Sequence, residues 1–77
     1  MISPAQCRAA RSLLDWRQPD LAEAAQVSEV TIRQFEGGRT KPQRATLGAI
    51  QAALEAAGVE FTNGDEPGVK LVRRSLQ

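Results

Sequence analysis

The chain has no histidine and one cysteine, Cys7. A lone thiol cannot close a disulfide, and without imidazole partners it cannot build a structural zinc site. Seventy-seven residues therefore have to fold on a thin apolar core, with neither a covalent staple nor a metal to help. That shortage favours a second copy of the chain as a stabilising partner, and no cofactor is expected. No run of 18 apolar residues occurs, and the first ten residues lack the apolar stretch of a signal peptide. The expectation is a cytoplasmic protein with no membrane association. Internal repeats and low-complexity tracts are also absent. An enzyme is not expected: without histidine, a glycine-rich phosphate loop or a convergent carboxylate pair, nothing is set up for acid–base or nucleophilic work.

What remains is helical punctuation. Ser3-Pro4 with Gln6 reads as an N-cap, a proline in the first turn and the far half of a capping box. The helix it opens runs over about 4–14, with Cys7, Ala10 and Leu14 on one face. A second helix over about 18–25 tolerates Pro19 only in its first turn. Its narrow face of Leu21, Ala22 and Ala25 lets another helix come close. Ser28 is the N-cap of a third helix over 29–36, which Gly37-Gly38 ends. A fourth, over about 43–57, carries Leu47, Ile50, Leu54 and Ala57 at helical spacing and stops at Gly58. Residues 59–62 and 69–73 then alternate like strands around the turn-rich 63–68, a hairpin pattern.

The third helix divides sharply. At 100° per residue from Glu29, Ile32 and Phe35 point near about 300° and 240°, the core side. Glu29, Val30, Arg33 and Gln34 occupy the opposite half. Such a flank is often simple solvated surface, but a valine standing among polar side chains asks for a contact. Charge is distributed unevenly too. From Arg33 to Arg44 four basic residues face one acidic one, a local +3 in a chain of net +1, which leaves the remainder at −2. Cys7 reads as a small buried hydrophobe and Trp16 as the edge of the core. Lys70, Arg73 and Arg74 read as a solvated tail.

Two short helices joined by a tight turn, the second with a polar outer face, form a helix-turn-helix. The residues Gln18, Leu21, Ala22, Gln26, Val27, Ser28, Ile32, Glu36 and Gly38 fit the spacing Q-x-x-L-A-x-x-x-G-V-S-x-x-x-I-x-x-x-E-x-G. This resembles the lambda repressor and Cro-like (XRE) helix-turn-helix family, over roughly residues 5–58. The tail also resembles that of short single-domain bacterial members. Two positions depart from the pattern: Gln26 replaces the turn glycine, and Arg17 stands where a Ser or Thr cap is usual. The resemblance implies a mainly α, lambda repressor-like bundle of four helices with a C-terminal β-hairpin. Residues 1–58 would form the DNA-binding domain, and 59–77 the hairpin and tail of the same domain.

By the same resemblance, Ser28, Glu29, Val30, Arg33 and Gln34 would face the bases of a major groove. Gln18 would donate to a phosphate, and Arg11 would pair with Glu36 as a structural ion pair. The loop residues Arg39, Thr40 and Lys41 are placed to follow the phosphate backbone. The chemistry suits these roles, since Gln can bond an adenine edge, Arg a guanine edge, Glu a cytosine amino group and Val a thymine methyl. The functional expectation is a transcriptional regulator that binds palindromic or pseudo-palindromic double-stranded DNA as a homodimer. The alternative is an antitoxin or partner-binding adaptor on the same fold. The hairpin carries two readings as well: a cover for the end of the fourth helix, or a strand edge that pairs with a second chain.

Overall fold

The computed structural model describes residues 2–63 and 66–72. Helix α1 spans Pro4–Leu14, α2 Gln18–Ala25, α3 Glu29–Glu36 and α4 Arg44–Ala56; strand β1 spans Val59–Thr62 and β2 Gly68–Leu71. The fold is a mainly helical bundle closed by a two-stranded antiparallel hairpin. Helix α4 is one residue shorter at each end than its sequence pattern suggests, because Gln43 is its N-cap and Ala57 its C-cap. Strand β2 starts one residue earlier than its alternation suggests. Gly68 pairs with Thr62, where a Cβ would sit 3.3 Å from the Thr62 hydroxyl. Arg73 and Arg74 lie outside the described residues. No helix among those described is long and apolar enough to cross a membrane.

The helices end where the backbone can reverse. Asp15, Gln26 and Gly38 all adopt left-handed φ, at 59°, 62° and 73°. After each, the next amide reaches back five residues, as Trp16 to Arg11, Val27 to Ala22 and Arg39 to Gln34. This is the Schellman closure, which satisfies carbonyls that a helix end would leave bare. Gln26 performs the turn where the pattern quoted above has glycine, and does so with a side chain in the left-handed region.

The core is contributed by every helix. Cys7 and Ala10 come from α1, Leu21, Ala22 and Ala25 from α2, Ile32 and Phe35 from α3, and Leu47, Ile50 and Leu54 from α4. Leu21, Ile32, Ile50 and Leu54 are fully buried, each worth about 1.5–3 kcal/mol of apolar transfer. Three of these positions are buried alanines, Ala10, Ala22 and Ala25, whose small side chains allow close approach of the helices. Leu14 and Trp16 pack partly buried against its edge.

The hairpin rests on α1 and on the end of α4, through Val59, Phe61 and Val69. Gln6 clasps it. This buried side chain completes the capping box with Ser3, whose hydroxyl accepts from Gln6 N–H and whose N–H donates to Gln6 Oε1. Its Nε2 then donates to the carbonyls of Thr62 and Gly68, both at 3.1 Å. One glutamine therefore starts the first helix and ties down both strands.

Candidate nucleic-acid interface

Helices α2 and α3 meet through the small face of α2, and the Gln26 turn sets the angle between them. Ser28 caps α3: its hydroxyl accepts from Thr31 N–H at 3.1 Å and lies 2.9 Å from the Thr31 hydroxyl. Ser28 is thus exposed but already committed to starting the helix. Ile32 and Phe35 are buried beneath it. Glu29, Val30, Arg33 and Gln34 are all exposed, Val30 to 47%. None of the side-chain hydrogen bonds or ion pairs among the described residues involves Glu29, Arg33 or Gln34. The helix offers a continuous flank of uncommitted donors and acceptors with one apolar patch.

Arg39, Thr40 and Lys41 are exposed in the loop that follows, directly after the left-handed Gly38. The loop leads to a feature that the sequence does not announce. Gln43 caps α4 only through its backbone, with no side-chain hydrogen bond. The first amide of α4 with an intrahelical partner is that of Leu47, which bonds Gln43 O. The preceding N–H groups, on Arg44, Ala45 and Thr46, therefore form an open, electropositive helix end. This end borders a cavity of about 450 Å³ that Gln34, Ser28 and Thr31 line from the α3 side and Thr40 and Gln43 from the other. Only the lack of a Ser, Thr or Asp cap before Arg44 could have signalled it.

The brace behind the flank is a single carboxylate. Glu36, the last residue of α3, has only 2% of its side chain exposed and Arg11 has 18%. Arg11 Nε donates to Glu36 Oε2 and Nη2 to Oε1, each at 2.7 Å, the bidentate fork geometry. Arg11 Nη1 donates to Trp16 O at 3.0 Å. Gln18 Nε2 donates to Glu36 Oε1 at 3.1 Å, and the Cys7 thiol to Oε2 at 3.1 Å. Arg8 adds a contact to the Glu36 carbonyl, at the negative end of α3. The carboxylate therefore gathers α1, the start of α2 and the end of α3.

The energetics follow from these contacts. Burial alone would disfavour the charged carboxylate, but hydrogen bonds from Arg11, Gln18 and Cys7 outweigh it and hold Glu36 below its ordinary pKa. The bond to Glu36 raises Arg11 further. Burial, with the neighbouring carboxylate, pushes the Cys7 thiol far up. Cys7 is hence a protonated donor, where its sequence context suggests only a small hydrophobe. Gln18 has its amide nitrogen on Glu36 rather than wholly free at the start of α2. Of the eleven residues singled out in the sequence, the structure gathers Arg11, Gln18 and Glu36 behind α3. It leaves Glu29, Val30, Arg33, Gln34, Arg39, Thr40 and Lys41 exposed, with Ser28 at the junction.

Residues 5–62, well over half of the chain, match a family described as a helix-turn-helix domain. The match agrees with the resemblance to lambda repressor and Cro-like proteins. No curated protein matches the chain.

Proposed function

This chain belongs to the helix-turn-helix domain family, a DNA-binding architecture, and from that premise we propose that it is a sequence-specific transcriptional regulator. Helix α3 enters the major groove of double-stranded DNA with Glu29, Val30, Arg33 and Gln34 toward base edges. Gln18, Arg39, Thr40 and Lys41 hold the phosphate backbone, joined by the open amides at the start of α4. The observation that carries this reading is the two-sidedness of α3. One side is locked into the core by Ile32, Phe35 and Glu36, and the other is exposed and uncommitted. A reading helix needs both, since a loosely held helix loses discrimination and a satisfied flank has nothing to offer a base.

A single helix-turn-helix covers little DNA, so the active species in this reading is a homodimer. It engages a palindromic operator whose half-sites lie about 34–36 Å apart or a multiple of that. Phosphate contacts supply most of the affinity and its salt dependence, and base contacts supply the discrimination.

Selection from random duplexes with the purified protein tests the proposal and should enrich a two-fold symmetric sequence. On the selected site, Gln34→Ala should cost about 1–3 kcal/mol and relax preference at one base position. Lys41→Ala should weaken all duplexes alike and reduce the salt slope by about one. Recovery of no enriched sequence, or identical behaviour of the two variants, would refute this division of labour.

A further inference from the structure

We infer that Glu36 is a positioning residue for the DNA-backbone contact of α2, acting by pinning the amide of Gln18. The inference rests on the proposal that Gln18 meets a phosphate. It adds the reason why that amide is ready to do so.

The first turn of α2 has few donors left to give. Pro19 has no N–H. The Arg17 N–H is taken by Asp20 Oδ2 at 2.9 Å, and the amides of Asp20 and Leu21 both bond Arg17 O. Among the described residues this leaves, beside the exposed Arg17 guanidinium, the main-chain N–H of Gln18 and its side-chain amide. A phosphate oxygen accepts hydrogen bonds and never donates them, so a glutamine that turned its carbonyl outward would repel it.

Glu36 decides which way that amide turns. As a carboxylate forked to Arg11 it has no hydrogen to offer, and it can only accept. Only the nitrogen of Gln18 can therefore face it, as the 3.1 Å bond to Oε1 shows. That nitrogen carries two hydrogens. One is held by Glu36, and the second remains beside the free main-chain N–H for an outside acceptor. Arg11 contributes again by cancelling the Glu36 charge, so a phosphate approaching Gln18 meets a neutral pair rather than a buried anion. The same carboxylate ends α3, so the backbone clamp and the reading helix share one anchor.

The roles separate in a double-mutant comparison on the selected duplex and on a shuffled one. Gln18→Ala should weaken both about tenfold, the lower end of the worth of one hydrogen bond to a charged group. The salt slope should stay unchanged because glutamine releases no counterion. Glu36→Gln should weaken both, by no more than Gln18→Ala does, since its neutral amide can either donate or accept and no longer fixes Gln18. Gln18→Ala/Glu36→Gln should be no weaker than Gln18→Ala. If Glu36→Gln fails to fold, Arg11→Met/Glu36→Met removes carboxylate and counter-charge together, an exchange that buried ion pairs tolerate. In the unmodified protein, one side-chain amide hydrogen of Gln18 should exchange with solvent more slowly than its twin and than either hydrogen of Gln34.

Full additivity of the two losses would mean that Glu36 acts through the fold alone, and would overturn the inference. Equal exchange of the two Gln18 hydrogens would overturn it too. If Gln18→Ala leaves both duplexes bound as before while Lys41→Ala weakens them, Gln18 does not meet phosphate. The inference then falls while DNA binding stands. If the unmodified protein binds no duplex, the proposed function itself is wrong.

Discussion

At the scale of the residue, Glu36 concentrates the most consequence. Its carboxyl has a lower pKa folded than unfolded, so the charged form stabilises the native state. That contribution is complete above the unfolded value, near about pH 4.3, and drains away as pH falls through the folded one. Acid unfolding followed by circular dichroism should show a steep loss in that window, and Glu36→Ala should flatten it. At neutral pH the same substitution should cost about 3–5 kcal/mol in urea denaturation, because Arg11 would be left buried without its partner. An unchanged acid limb would show that another carboxylate governs it. The pairing of Arg11 with Glu36 could be anticipated from family resemblance. The parts played by Gln18 and Cys7 could not, since an amide and a thiol carry no charge pattern to betray a shared acceptor. Gln6 was half legible: its capping box is local, whereas its strand partners lie 56 and 62 residues away.

At the scale of the element, the three left-handed exits set the geometry of the motif. Gly38 occupies its position cheaply, while Gln26 and Asp15 hold theirs against the steric preference of L residues. Gln26→Gly should therefore stabilise the protein by a net amount of up to about 1 kcal/mol, the relief of strain exceeding the added flexibility of the unfolded chain. Gly38→Ala should destabilise it by about 1 kcal/mol, although no atom lies within 4 Å of the new methyl. Thermal melts of both variants check the signs, and a lowered melting temperature for Gln26→Gly would show that the turn is not strained. The bounds of α1, α2 and α3 were legible because each begins with a cap or an early proline and ends at a break in apolar spacing. The start of β2 was less so. Gly68 looks like loop, and only its cross-strand neighbour Thr62 explains why a residue without a side chain belongs in the strand. The open end of α4 also escaped notice, because its apolar face carried the whole signal of that segment.

At the scale of the whole molecule, the hairpin presents a self-complementary edge. Val72 N–H bonds Gly58 O, and the antiparallel alternation then turns the main-chain groups of Val69 and Leu71 away from β1. Leu71 is 50% exposed, and Leu13 of α1 is 41% exposed. If the proposed homodimer forms by antiparallel pairing of β2 with its copy, Leu71→Arg should leave the helical signal intact. Sedimentation should then show dimer giving way to monomer, and affinity for the palindrome should drop to that for a half-site. A variant that stays dimeric would place the interface elsewhere, and an unmodified protein that is monomeric at all concentrations would remove the dimer altogether. The clasp made by Gln6 has a consequence in time as well as in space. During synthesis Gln6 is made 62 residues before the carbonyl of Gly68 exists, so helix α1 must wait for its second strand acceptor. The nascent chain thus passes through an interval in which the first helix is capped by Gln6 but its amide nitrogen has no strand carbonyl to hold.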